Sequence, residues 1–414
     1  MADDYRGYEE LADEPPDFPP APDANPLDAV AVERPIKFEP TPFTFRDPTT
    51  IPHRQFVYGR HYIRQFLSAT VAPGGVGKSS LALVEAVAMA SGRNLLGIQP
   101  PSPLKVWYIN LEDPRDEIDR RVAALCLHFS IDPRDIEGRL FFDGRETEVI
   151  LAQQSKSGVI IAAPIVDALT AALKSGGFDV LMIDPFVSAH RVTENDNPAI
   201  DAVAKTLGRI AGAANCAIEC VHHTRKNGGG EISAEDSRGA GAMVAAARSV
   251  RVLNRMSDDE ADKAGVAAED RRSHFRSDID KLNLAAPSKA SWYRLVSIAL
   301  GNGSGGGVDD QDYVGVVTPW AWPDAFDGVK AGDLLKVQQA VAQGRWREDL
   351  RANDWAGVAI SRTLKLDPTD KRDRAKIAAM LKRWIAAGAL KTVKGMDEKR
   401  RERSYVEVGE WADE

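Results

Sequence analysis

A chain of 414 residues is long enough for one large α/β domain and a smaller one. Its net charge of −8 excludes a nucleic-acid binder that relies on positive charge spread over the whole surface. No run of 18 apolar residues and no basic-then-apolar leader appears, and the three cysteines, Cys126, Cys216 and Cys220, lack metal-ligand spacing. The expected setting is therefore the reducing cytoplasm, with no membrane partner. Residues 1–45, which include DEPPDFPPAPDANP, are acidic and proline-rich and are expected to form a disordered tail. Over 46–300, apolar runs at 66–72, 105–111, 139–142, 178–184, 216–221 and 249–253 alternate with Ala-rich stretches. That alternation predicts an α/β fold with a mainly parallel central sheet. Residues 301–329 open with GNGSGGGVDDQD and read as a linker or irregular segment. Helical patterns at 331–343, 354–365 and 371–387 precede ALKTVKG and RSYVEVGEW, the outline of a winged helix-turn-helix over 330–414. Trp346, Trp355 and Trp384 are expected to anchor its core.

The chemistry begins at APGGVGKS, residues 72–79, between the first apolar run and an Ala- and Leu-rich helix. Strand, glycine turn and helix is the arrangement a phosphate-binding loop requires, because N–H groups and the helix dipole then converge on an anion. Alanine stands at Ala72 where the motif has its first glycine, at a strand end where a methyl group is tolerated. Pro73, Gly74, Gly75, Val76, Gly77, Lys78, Ser79 and Ser80 are the expected nucleotide-binding residues. Lys78 would reach the β- and γ-phosphates of ATP, and the Ser79 hydroxyl would ligate Mg²⁺.

FDVLMIDP is an apolar strand ending in Asp184, the form of the acid that shares the Mg²⁺ with Ser79. Pro185 follows it, so the catalytic carboxylate comes from elsewhere. VWYINLEDP supplies Glu112 at a strand end, able to orient the attacking water; the alternative reading makes Glu112 or Asp113 a helix cap before Pro114, and Asp113 in that place leaves Glu112 for catalysis. CAIECVHHTRK ends in His222-His223, where a histidine can bond the γ-phosphate. Two adjacent histidines without further ligands at suitable spacing make a poor zinc site. A Gly-rich loop then leads to a strand carrying Arg248, Arg251 and Arg255, any one of which could stabilise transition-state charge.

The ordered set APGGVGKSSLAL, VWYINLEDP, VLMIDPF, CVHHTRK and SRGAGAMVAAARSVR resembles the RepA-type hexameric replicative helicases, members of the RecA-like P-loop ATPases. The resemblance covers roughly residues 50 to 290, including DKLNLAAP. It implies a RecA-like ATPase core, Glu112 as base, His223 as γ-phosphate sensor and Arg248 as the finger completing a neighbouring subunit's site. It further implies a homo-oligomer, a hexameric ring, acting on single-stranded DNA during replication of a plasmid, prophage or mobile element. Lys226 becomes the best DNA contact in the loop 224–241, and Arg238 lies in the SRG signature at that loop or the subunit interface.

Those helicases lack a basic C-terminal extension. Here Lys371, Arg372, Arg374, Lys376, Lys382 and Arg383 crowd one predicted helix, and Lys391, Lys394, Lys399, Arg400, Arg401 and Arg403 follow in the hairpin. Arg383, Lys394 and Arg400 are taken as candidate contacts to duplex DNA, against a solvated, ion-paired surface as the other reading. Two functions thus stand open: a strand-separating motor, and a slow ATP-dependent switch that holds duplex DNA. A metabolic kinase is a distant third, since no acceptor site or lid is visible.

Overall fold

The computed structural model describes residues 39–156, 158–224, 231–233, 241–285, 289–303, 310–330 and 332–412. Most of the expected tail, residues 1–38, lies outside them. The chain divides into two compact units, Met1–His53 and Arg54–Glu414. In the first, a short 3-10 turn at Pro48–Thr50 is capped by the Asp47 side chain, which accepts from the Thr49 N–H at 2.9 Å.

In the second unit a two-stranded ribbon, β1 (Phe56–Tyr58) and β2 (Tyr62–Ile63), precedes the parallel core. The core runs β3 (Leu67–Pro73), α1 (Lys78–Ser91), β4 (Val106–Asn110), α2 (Arg115–Phe129) and β5 (Leu140–Asp143). A hairpin of β6 (Ala152–Ser155) and β7 (Gly158–Ile161) leads to α3 (Ala163–Gly176), β8 (Val180–Asp184), α4 (Asn197–Ala214) and β9 (Ala217–Thr224). Next come α5 (Gly241–Ala246), β10 (Ser249–Arg255) and α6 (Asp258–Ala264). Three long strands close this part: β11 (His274–Leu282), β12 (Ser291–Ala299) and β13 (Tyr313–Pro319).

The main sheet has nine strands in the order β13-β12-β11-β10-β3-β9-β8-β4-β5. Pairings from β10 to β5 are parallel, and β10, β11, β12 and β13 pair antiparallel. The parallel strands are buried on both faces, which is why they read as continuous apolar runs. One apolar layer lies under α1 and α2, with Leu81, Met89 and Ile118 fully buried. The other lies under α3, α4 and α5, around Leu173, Leu207 and Met243. A strand, β9, stands between the phosphate-loop strand β3 and the aspartate strand β8. Residues 301–329, expected as a linker, carry β13 as the outer strand of this sheet. The strand YVGVVTP is itself largely apolar, but the polar, glycine-rich stretch GNGSGGGVDDQD that precedes it masks it in sequence.

A polar network threads the core. Glu219 on β9, fully buried, accepts from the Ser68 and Thr70 hydroxyls of β3 and pairs with His61 Nε2 at 3.0 Å. Arg251 on β10 grips Glu85 of α1 with both terminal nitrogens, at 2.5 and 2.6 Å, and donates from Nε to Thr70 Oγ1 at 2.7 Å. Tyr62 Oη adds a 2.6 Å bond to Glu85. Burial alone would raise the Glu219 pKa; His61, Arg251 and the Ser68 hydroxyl hold it below the usual carboxylate range.

The C-terminal part comprises α7 (Asp333–Ala342), β14 (Trp346–Arg347), α8 (Ala356–Leu364), α9 (Lys371–Ala386), β15 (Leu390–Met396) and β16 (Glu402–Val408). Its sheet order is β14-β16-β15, and β14 is a third strand that the sequence pattern did not predict. Trp355 and Trp384 are buried in its core with Ile360, Ile377 and Met380, while Trp346 is partly buried against it. Asp370 caps α9 by accepting from the N–H groups of Arg372 and Asp373, both at 3.0 Å.

Candidate active site

The phosphate loop joins the buried end of β3 to α1, with Pro73 as the last strand residue. Gly75 and Gly77 adopt φ of +71° and +109°, conformations that glycine alone holds without strain. A Cβ at Gly77 would also come within 3.3 Å of the Phe275 ring. Gly77 is the N-cap of α1 and offers no side-chain bond to the helix N–H groups, which leaves those donors for an anion. Gly74 is exposed, Val76 buried, and Ser79 and Ser80 half-buried on the first turn. Lys78 Nζ donates to the carbonyls of Ala72 at 3.0 Å and Pro73 at 2.8 Å. Burial pulls its ammonium pKa down to about 8, against the raising effect of Asp184 and Glu112.

Asp184 ends β8 and is completely buried. Tyr108 Oη donates to its Oδ2 at 2.8 Å. Burial raises the pKa of this carboxyl, opposed by the Ser79 and Tyr108 hydroxyls and by His223 and Lys78. Its Oδ1, equally buried, meets no protein donor at bonding distance among the described residues. A buried carboxylate oxygen left open opposite the Ser79 hydroxyl fits a Mg²⁺ ion, directly or through water.

The strand end at Glu112 is shaped by Asn110, which sequence reasoning missed. Asn110 Oδ1 accepts from the N–H groups of Glu112 at 2.9 Å and Asp113 at 2.8 Å. Its Nδ2 donates to Asp113 Oδ2 at 3.1 Å and to Tyr108 Oη at 3.3 Å. One amide therefore links the turn carrying Glu112 to the tyrosine that holds Asp184. Glu112 itself is exposed, and its charge acts on both Lys78 and His223. Asp113, the alternative helix cap, does not cap: Pro114 occupies the N-cap position and Asp113 pairs with Arg121 at 2.9 Å.

Parallel register sets Ala72 beside His223, so this histidine stands at the base of the phosphate loop. Burial lowers its pKa, as does Lys78, while Glu112, Asp184 and Glu194 act to raise it. Its Nε2 is buried and unpartnered among the described residues. His222 leaves the strand on the other face. It is buried edge-on to Phe186 at 6.0 Å, and burial drives its pKa down to about 4.

The three candidate arginines separate. Arg255 donates from Nη2 to the Gly75 carbonyl at 2.6 Å, on the phosphate loop itself. Arg251 belongs to the buried network with Glu85. Arg248 is exposed and lies at the far end of the sheet, where its N–H donates to the Leu67 carbonyl at 2.9 Å. The parallel β10–β3 register places it roughly 20 Å from the loop at 3.3 Å per residue. It shares a cavity of about 920 Å³ with Gln65, Asp201, Lys205 and Arg209. Lys226 and Arg238 lie outside the described residues.

The C-terminal candidates are largely engaged within the chain. Arg383 pairs with Asp324 at 3.0 Å over the Phe326 ring. Lys394 donates to Ser404 Oγ at 3.2 Å and faces Glu402 at 3.9 Å. Arg400 is exposed in the turn between β15 and β16.

A family model described as an AAA domain matches residues 32–229. The AAA match takes in the phosphate loop, Glu112, Asp184 and His223, and it ends before Arg248 and the C-terminal part. Among solved structures, one of a DnaB-like replicative helicase and its interactions with primase is similar, at 16% identity and a TM-score of 0.41. The similarity covers 57% of this chain and 57% of that one.

Proposed function

We propose that the protein is an ATP-hydrolysing motor that acts on single-stranded DNA as a ring, most simply a hexamer, in the manner of RepA-type replicative helicases. The observation that carries the reading is the split of the catalytic set between two ends of one sheet. Lys78, Ser79, Asp184, Glu112 and His223 gather at the carboxyl ends of β3, β8, β4 and β9, while Arg248 sits about 20 Å away. A finger so placed serves only the nucleotide of another subunit, which supports an assembly in which sites form between copies.

In this mechanism Lys78 exchanges the Ala72 and Pro73 carbonyls for the β- and γ-phosphates of ATP, beside the N–H groups of the loop. Ser79 and Asp184 would hold Mg²⁺, which supplies charge neutralisation across those phosphates. Glu112 orients the attacking water, positioned by the turn that Asn110 fixes. His223, with an unpartnered nitrogen at the base of the loop, donates to the γ-phosphate and registers its loss. Asp184 and Ser79 stay fixed throughout, one by Tyr108 and the other by the start of α1.

A second reading, a slow ATP-dependent switch on duplex DNA, draws on the C-terminal domain with its three helices and three-stranded sheet. Steady-state ATP turnover without DNA, with single strands and with duplex separates the two, beside a Glu112→Gln control. The motor requires strong stimulation by single strands that the control lacks. Slow turnover indifferent to single strands would sink it in favour of the switch.

A further inference from the structure

We infer that the C-terminal domain holds duplex DNA through the turn between β15 and β16 and the adjoining β14, and not through α9. The inference rests on the reading that the chain acts on DNA, but not on whether the core separates strands. By its place after α8 and before the hairpin, α9 corresponds to the helix that enters the major groove in helix-turn-helix proteins. Most of its basic residues, however, have partners.

Lys371 Nζ reaches Asp262 of α6 at 3.4 Å. The stem of Arg372 lies against Gly265, just past the end of α6, so close that a Cβ there would meet Arg372 Cγ at 2.3 Å. The first turn of α9 thus faces the ATPase core. Arg374 donates to the Leu350 carbonyl at 2.7 Å and stacks over Trp355. Lys376 donates to the Asp327 carbonyl at 2.6 Å, and Arg383 pairs with Asp324. Of the six cations that crowd this helix, Lys371, Arg374, Lys376 and Arg383 are hydrogen-bonded or ion-paired, Arg372 is packed by its stem against Gly265, and Lys382 has no partner among the described residues. A helix covered at its N-terminus, with most of its charges tied down, offers little to a phosphate backbone.

The hairpin turn is the opposite case. Asp397 accepts from the N–H groups of Lys399 and Arg401, both at 2.9 Å, and from Arg403 Nε at 3.2 Å. The acid builds the turn, and the side chains of Lys399, Arg400 and Arg401 project without partners among the described residues. Arg345 and Arg347, from the β14 segment, join Lys399, Arg401 and Arg403 along a groove of about 530 Å³. Arg347 pairs with Asp354 at 3.6 Å, Arg403 with Asp397, and Arg345 donates to the Met396 carbonyl at 2.6 Å. Lys399 and Arg401 are thus the groove's cations without partners among the described residues, on a chain whose net charge is −8.

The Tyr405 ring that lines the groove is covered by the Arg345 guanidinium at 4.1 Å. No free ring is offered for stacking an unpaired base, so the groove suits the phosphates of a duplex better than a single strand. Contacts of this kind position the protein and carry no sequence preference.

Fluorescence anisotropy of the full-length chain with a labelled duplex, over a salt series, tests the inference. The triple variant Lys399→Ala, Arg400→Ala, Arg401→Ala is expected to bind at least tenfold more weakly. Its salt slope should fall by about two to three, one phosphate contact per lost cation. The α9 variant Lys382→Ala, Arg383→Ala is expected to stay within twofold of the parent. The three hairpin side chains are exposed and unpartnered, so a thermal melt of the triple variant should match the parent and exclude unfolding.

Loss of affinity in the α9 variant with the hairpin variant unchanged would overturn the inference, and so would equal affinity in all three proteins. A parent that binds no duplex but is stimulated by single strands would overturn the inference while leaving the motor intact. A parent that binds duplex through the hairpin but ignores single strands would overturn the motor alone.

Discussion

Tyr108 Oη donates to Asp184 Oδ2 at 2.8 Å, across two neighbouring strands and inside a fully buried site. It fixes Oδ2, while Oδ1 has no protein partner at bonding distance among the described residues. Tyr108→Phe removes the donor and leaves the ring in place. A hydrogen bond to a charged group is worth roughly 1.5–3 kcal/mol, so the variant should need tenfold or more Mg²⁺ for half-maximal turnover. A Mg²⁺ titration of ATP turnover measures this, and an unchanged half-maximal concentration would remove Tyr108 from the site.

Lys78 gives a pH prediction with a definite sign. Burial holds its pKa near 8, below the ordinary 10.5. A bound triphosphate stabilises the protonated amine and raises that value again. Nucleotide binding above pH 8 must therefore take up a proton, and affinity should fall by up to about tenfold per pH unit there. Below pH 8 the lysine is already charged and affinity should level off. Titration calorimetry in buffers of different ionisation enthalpy reads the proton directly. Lys78→Met should abolish both the proton uptake and the slope.

His222 predicts the shape of the acid limb of stability. Its pKa of about 4 in the folded chain lies below the ordinary 6.5, so the unfolded chain takes up the proton first. Stability contributed by the neutral ring is fully present above about pH 6.5 and is lost as pH falls towards 4, about 3 kcal/mol in all. His222→Phe should flatten the limb between those values relative to the parent. Urea denaturation at pH 7, 5.5 and 4.5 compares the two slopes. Parallel slopes would mean that His222 does not titrate in this window.

Arg251 and Arg248 should behave as opposites although three residues apart. Arg251→Ala strands the buried Glu85 carboxylate and should cost about 3–5 kcal/mol in chemical denaturation. Arg248→Ala touches an exposed side chain and should stay within about 0.5 kcal/mol of the parent. Its effect should appear instead in turnover. Mixing inactive Arg248→Ala with inactive Glu112→Gln should restore a measurable fraction of activity, because some interfaces then combine two intact halves. Mixtures as inactive as their parts would argue against a finger acting between subunits.

The parallel half of the fold is legible because its strands are buried on both faces and read as unbroken apolar runs. β3, β4, β8, β9 and β10 fall within two or three residues of the expected positions. The antiparallel half is not, since β11 mixes charged and apolar residues and a glycine-rich stretch at 301–307 separates β12 from β13. At the candidate site, the sequence pattern picks out Lys78, Ser79, Asp184 and Glu112 by strand ends and spacing, and the structure brings them to neighbouring strand ends. Tyr108 and Asn110 are not picked out, because their roles depend on partners on another strand or in the following turn. The partners of the basic run of α9 are hidden for a related reason. Charge is visible in sequence, whereas the carboxylates and carbonyls that occupy it come from α6, Asp324 and Asp327.

The buried Glu219 bears on how the site is able to move. One carboxylate accepts from Ser68 and Thr70 on the strand that ends in the phosphate loop, and it stands on the strand that ends in His223. Sliding one strand past the other by a single residue would tear both bonds inside a dry core, at a cost the whole domain could hardly sustain. The loop and the histidine are thus riveted at fixed spacing. What remains free is rotation of the imidazole about its own side-chain bonds. The ring is a small lever turning on a rigid beam.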